Sequence, residues 1–186
     1  MPQVSDLIAK IRRRVNDGHA AEFGSDELIS YLNEGLSYLE LTLAADKIPF
    51  NVRKIEAVSS QALLPKDLIA IYKVTHNGGE IFVKAPYGSE KGRYYIMENI
   101  IYLPFIPSDI YYCASFPRLS ITGEIDIYPP LIQYLYEFAV IKALGRIEFD
   151  TRYEENALAA LTANIKKVML NKDGAYKMER FRGYGA

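Results

Sequence analysis

Between Leu63 and Leu103 the chain reads Leu63-Leu-Pro-Lys-Asp-Leu-Ile-Ala-Ile-Tyr-Lys-Val74, then His76-Asn-Gly-Gly-Glu-Ile81, then Tyr94-Tyr-Ile-Met-Glu-Asn-Ile-Ile-Tyr-Leu103. Asn77-Gly78-Gly79 supplies residues that accept positive φ, so a tight turn is predicted between strands at Ile69–Thr75 and Ile81–Ala85. Glu98-Asn99 is a weaker two-residue turn between Tyr94–Met97 and Ile100–Leu103. A further strand is predicted over Ile110–Ser115. Pro86, Pro104, Pro107 and Pro117 fall at strand ends, where a missing N–H harms the ladder least. The stretch Tyr87–Arg93, with Gly88 and Gly92, reads as an exposed loop.

Outward from this region the apolar period changes from two to helical. Leu7, Ile8, Ile11 and Val15 form a stripe on a helix from Val4 to about Asp17, with Gly18 as a left-handed stop. Ser25 is placed to cap a second helix, with Asp26 and Glu27 in its first turn. Leu28, Ile29, Leu32, Leu36, Leu39 and Leu43 carry that helix to about Ala45, and Pro49 lies beyond its end. A short loop between the two predicts a helical hairpin. On the far side, Pro129-Pro130 starts a third helix running to Phe149, apolar nearly all round and so predicted as the most buried. Thr151 and Glu154 have capping-box spacing for a fourth, with Leu158, Leu161, Ile165 and Val168-Met169 as its stripe and Asp173-Gly174 as its stop. No internal repeat or low-complexity tract is visible.

Composition narrows the function classes. The 186 residues are 49% hydrophobic and 24% charged, enough for a core in one domain or one domain with an appendage. A formal charge of −1 gives no global field for nucleic acid or a membrane surface. Cys113 is the only cysteine, so no disulfide forms within the chain, which fits a reducing compartment. No signal-peptide core and no spanning apolar run stands out, so the expectation is a soluble protein not exported through a membrane.

Residues that could carry chemistry each have a plainer explanation. Gly88-Ser-Glu-Lys-Gly92 lacks the Gly-Lys-Ser/Thr ending of a phosphate-binding loop. Cys113 sits mid-strand beside Tyr111, Tyr112 and Ala114, as a small packed residue would. His19 and His76 lie in a loop and a turn, with no metal-ligand spacing around either. No catalytic, cofactor-binding or metal residue is therefore expected, and no enzyme. Asp26, Glu27, Glu34 and Glu40 read as a solvated helix face, or as charges lining a channel or meeting a basic partner. Lys10 with Arg12, Arg13 and Arg14 makes a basic end to the first helix, favoured there by the helix dipole. It could instead meet phosphates or an acidic neighbour.

The C-terminal end is more specific. From Lys166 onward there are six basic residues against two acidic, a local +4. Interleaved with Lys177, Arg180 and Arg182 are Tyr176, Met178, Phe181 and Tyr184, residue types enriched at interfaces. Residues 175–186 therefore read as a docking tail. Tyrosine also crowds the middle. Nine of the fifteen lie between positions 87 and 136, more than two hairpins can easily bury. Tyr87, Tyr94, Tyr95, Tyr102, Tyr111 and Tyr112 are the candidates for lateral or tail-facing contacts.

Four segments taken in order resemble a known family. They are an amphipathic helix followed by Phe23-Gly-Ser-Asp-Glu-Leu-Ile-Ser-Tyr-Leu-Asn-Glu34; Leu64-Pro-Lys-Asp-Leu68 with Ile71-Tyr-Lys-Val74 and an Asn-Gly turn; Tyr95-Ile-Met-Glu-Asn-Ile-Ile-Tyr-Leu-Pro104; and Tyr128-Pro-Pro-Leu131 leading to paired helices and an aromatic, basic end. Together they resemble the head-to-tail connector adaptors of tailed bacteriophages, of the tail-tubular-A type. Glu98-Asn99 stands where that family often has Gly-Asn.

With the helical periods, the resemblance implies an α+β fold, mostly α. The expectation is a four-helix bundle (two N-terminal plus two C-terminal helices) with an inserted β-hairpin-rich region and an extended C-terminal tail. The divisions are residues 1–50, 51–128, 129–174 and 175–186. The resemblance further implies a ring of about twelve identical copies below a portal protein, made by heterologous side-to-side contacts. The tail would dock on the portal, the β region would face a downstream tail or nozzle protein, and genomic DNA would pass through the lumen. Assembly in the host cytoplasm and residence in the virion neck follow, with no membrane partner and no cofactor. Two alternatives stand beside it. One is a nucleic-acid-binding regulator with Arg12–Arg14 on phosphates, opposed by the acidic second helix. The other is an enzyme with an unrecognised site in the β region.

Overall fold

Stripes of apolar residues at helical spacing become four helices: α1 (Val4–Arg14), α2 (Ser25–Ala45), α3 (Pro129–Arg146) and α4 (Arg152–Asn171). A computed structural model describes residues 2–81 and 92–171 of the chain. The strands are β1 (Val52–Ala57), β2 (Gln61–Leu63), β3 (Leu68–His76), β4 (Gly79–Ile81), β5 (Tyr95–Met97), β6 (Ile100–Tyr102) and β7 (Ser108–Ala114). Two compact units result. One takes the chain up to Leu39 and again from Phe116; the other is Glu40–Ser115, so the division falls within α2.

In the helical unit Val4, Leu7, Ile8 and Ile11 of α1 are buried, as are Leu28, Leu32, Leu36 and Leu39 of α2. Each such side chain contributes on the order of 2 kcal/mol by leaving water. Pro129 opens α3, which buries Leu131, Tyr134, Leu135, Ala139, Val140, Ala143 and Leu144. Its last turn closes with Phe149 N–H on the Leu144 carbonyl at 3.1 Å. The chain before α1 is pinned by Val4 N–H to the Gly123 carbonyl and Ile125 N–H to the Pro2 carbonyl. At Gly35, α2 approaches α3 so closely that an added Cβ would lie 2.9 Å from the Phe138 ring.

The β-rich unit holds two antiparallel sheets, ordered β1-β7-β3-β4 and β2-β6-β5. Asn77 and Gly78, with φ of 49° and 80°, form the turn of the β3–β4 hairpin, and His76 pairs with Gly79 across it. Two positive φ values in succession match the twist of the strands they join. Glu98, φ 53°, turns the β5–β6 hairpin. Both sheets feed one core: Ala57, Val74, Ile81 and Ile110 from the first, Ile101 and Leu103 from the second hairpin's return strand.

The expected four-helix bundle with inserted hairpins is not what forms. Among the described residues, four helices stand with seven strands in two antiparallel sheets. Part of the reason is non-local pairing. β7 lies between β1 and β3, with Val52 opposite Cys113 and Leu68 opposite Ala114, so the predicted strand at 110–115 joins a four-stranded sheet. β2 adds to the second hairpin through Gln61–Tyr102 and Leu63–Ile100 pairs. In α4 the predicted apolar stripe packs against α3, with Ile165 buried, Leu158, Leu161 and Met169 half-buried and Val168 exposed.

Local details differ too. The left-handed residue after α1 is Asn16 (φ 61°), not Gly18. Asparagine tolerates that conformation. Ser25 is the first helical residue of α2, and Leu28 N–H bonds the Gly24 carbonyl at 3.2 Å. The Thr151 hydroxyl donates to Glu155 at 2.7 Å, while Glu154 accepts from Arg14. The predicted extension of β4 through residues 82–85, the loop to residue 91 and the stop after α4 lie outside the described residues.

Candidate functional site

Spacing on α1 sets the most distinctive surface. Lys10, Arg13 and Arg14 stand at i, i+3 and i+4, which puts all three side chains on one exposed face. On α3, Ile132, Gln133 and Tyr136 face them. Together with Leu7 these residues line a groove of about 410 Å³. Leu7 and Ile132 give it an apolar floor, and the cations, the Tyr136 phenol and the Gln133 side chain give it a polar wall.

The cations differ in how far they are already satisfied. Arg14 donates to Glu154 at 3.2 Å, and that carboxylate is itself buried on α4. Lys10 and Arg13 have no ionic partner among the described residues. Gln133 donates its amide to Glu137 at 2.7 Å. Burial pushes the Tyr136 phenol above its ordinary 10.0, Glu137 adds to the shift, and Arg14 and Arg13 oppose it. The phenol is therefore protonated at neutral pH and able to donate.

Arg12 turns away from this groove. Its guanidinium donates to Asp17 at 2.7 Å and to the Ser25 hydroxyl at 3.3 Å. Asp17 also accepts the backbone N–H groups of Ala21, Glu22 and Phe23 at 2.8, 3.0 and 3.2 Å. Chiefly through the Glu22 amide, and against the cost of burial, these donors hold its carboxyl below the usual value. Arg12 and Asp17 thus fix the loop between α1 and α2. The basic run at the end of α1 is split, with Arg12 structural and Arg13 and Arg14 at the groove.

The acidic residues of α2 do not form one surface. Asp26 is exposed in the first turn. Glu27 accepts from Arg146 at 2.7 and 2.6 Å and from the Tyr31 hydroxyl at 2.6 Å. Glu34 pairs with Lys142 at 2.7 Å. Glu40 is only 1% exposed, so its side chain does not face a lumen or a partner.

The tyrosines are more engaged within the β-rich unit than their number suggested. Tyr112 is buried. Tyr95 and Tyr102 stack across the β5–β6 pair with centroids 4.5 Å apart and planes 3° off parallel. Tyr94 packs against the core, and Lys73 Nζ sits 4.8 Å from the Tyr111 ring centre. His76 stacks on Phe105 and lies 2.7 Å from the Pro107 carbonyl through Nδ1, holding the turn ends together. Cys113 is buried and its thiol pushed up by burial, as for a packed residue. Tyr87, Tyr176, Lys177, Met178, Arg180, Phe181, Arg182 and Tyr184 lie outside the described residues.

Large apolar side chains stand exposed in both units. The α3–α4 corner presents Ile147, Phe149 and Tyr153, the last 78% exposed, and α2 presents Tyr38; the β-rich unit presents Val58, Leu63, Met97, Phe105 and Ile106. Among the described residues there is no group of three or more His, Cys, Asp or Glu placed to hold a metal, and no helix long and apolar enough to cross a membrane. No protein-family model matches the chain, and no curated protein matches it.

Proposed function

We propose that this chain is a structural head-to-tail adaptor of a tailed-bacteriophage virion. In this role it forms a ring below the portal, extends the DNA channel and offers the tail its attachment site, without catalysis or cofactor. The order helical pair, β-rich segment, helical pair supports it, because the four family-like segments fall on those elements in sequence. The observation that carries most weight is the α3–α4 corner. Ile147, Phe149 and Tyr153 lie within seven residues and all stand exposed, at a place where a lone subunit has no use for large apolar surface. Tyr38 on α2 offers a different apolar contact. A closed ring needs two unlike, complementary surfaces on each copy.

The regulator reading loses one of its three arginines, since Arg12 is bound to Asp17. Quantitative mass spectrometry of purified tailed particles from the encoding phage tests the adaptor role. The chain is expected in the particles at about twelve copies each. A chain abundant in infected cells but missing from finished particles would overturn the proposal.

A further inference from the structure

The groove between α1 and α3 has a chemistry the adaptor role does not require. We infer that it is a phosphate-binding site, built from Lys10, Arg13 and Arg14 on one wall with the Tyr136 hydroxyl opposite.

The charge balance points to phosphate. Glu154 already offsets Arg14, and Lys10 and Arg13 have no ionic partner among the described residues, while the Glu137 carboxylate sits at the groove's edge on Gln133. Two cations without an ionic partner suit a phosphate monoester, which carries about −1.5 to −2 at neutral pH, or two successive phosphodiesters. The donors suit it as well. Lysine and arginine only donate, arginine in a planar fork that fits phosphate oxygens. Tyr136 keeps its proton at neutral pH and adds a neutral donor. A volume of about 410 Å³ is more than a bare phosphate needs, so room remains for a sugar or base over Leu7 and Ile132. The same phosphate chemistry comes from two sources, free phosphate compounds or a nucleic-acid backbone.

The test uses the full-length protein and two probes: inorganic pyrophosphate by calorimetry, and a fluorescein-labelled DNA duplex by anisotropy over a series of salt concentrations. Lys10→Ala with Arg13→Ala is the groove variant, since both side chains are exposed and have no ionic partner among the described residues. Lys66→Ala with Lys167→Ala removes the same charge at other exposed positions and is the control. Pyrophosphate bound by the wild type and control but not by the groove variant supports the site with a free phosphate compound as ligand. Duplex binding whose salt slope falls by about 2 in the groove variant alone supports it with a phosphodiester backbone as ligand. Equal losses in the groove variant and the control, or no binding of either probe by the wild type, overturn it. So does polyglutamate displacing either probe as well as pyrophosphate does, which would make the groove a general acceptor of acidic chains.

Discussion

Substituting Gly35 in two backgrounds tests the α2–α3 contact, because the substitution should change sign between them. An alanine Cβ at this position would sit 2.9 Å from Phe138 Cδ1, 3.0 Å from Cγ and 3.3 Å from Cβ. Unstrained carbon contacts lie near 3.5–4.0 Å, so the overlap is about half an ångström to one ångström. The clashing atoms are at the root of the ring, and the rings of Tyr38 and Tyr134 each lie 6.1 Å from it. It cannot relieve the clash by moving its tip. Overpacking of this kind costs about 1–3 kcal/mol. Alanine in place of a helix-interior glycine returns about 1 kcal/mol. Gly35→Ala should therefore destabilise the protein by about 1 kcal/mol. In a Phe138→Ala background Cγ and Cδ1 are gone, and the same substitution should stabilise by up to about 1 kcal/mol. Urea unfolding of the four proteins, followed by circular dichroism, gives the coupling as a double-mutant cycle. A Gly35→Ala change that stabilises equally in both backgrounds would refute the close approach of the two helices.

Other consequences are simpler to check. Ile101→Ala, at a fully buried position of the β-rich unit, should cost about 2–5 kcal/mol in denaturant unfolding, while exposed Val58→Ala should stay within about 0.5 kcal/mol. Asp17 has a depressed folded-state pKa, so its contribution is present above the ordinary value of 3.8 and is lost as pH falls through the lower folded value. Asp17→Asn should therefore flatten the acid limb of a stability–pH curve below that value, and an unchanged limb would remove Asp17 as the loop's anchor. Cys113 should resist a thiol reagent such as Ellman's in the native protein and react with one equivalent after unfolding; rapid native reaction would contradict its burial.

Elements fixed by local signals were legible in the sequence. The leucine stripe placed α2 at Ser25–Ala45, and the Asn77-Gly78 and Glu98-Asn99 turns stand where they were predicted. Pairing across long separations was not legible. Nothing in Val52–Ala57 announces that it will lie against β7, because hydrogen-bond partners leave no mark on a single strand's period. The α4 stripe had the right spacing, yet periodicity shows which face could be buried and not how fully a neighbour covers it. Two placements could have been read more closely. Glu40 lies four residues after Leu36 and three before Leu43, so its spacing sets it on the buried face. Tyr112 alternates with Ile110 and Ala114 along β7, which turns it inward while Tyr111 points the other way. Arg12 and Arg14 gave no such signal, since their partners Asp17 and Glu154 are identified only by the folded loop and by α4.

The adaptor proposal meets its most direct test in native mass spectrometry of the tagged protein recovered from an infected-host lysate. A closed assembly of about twelve copies attached to a larger partner is the predicted result. A lone monomer or dimer carrying duplex DNA would contradict it.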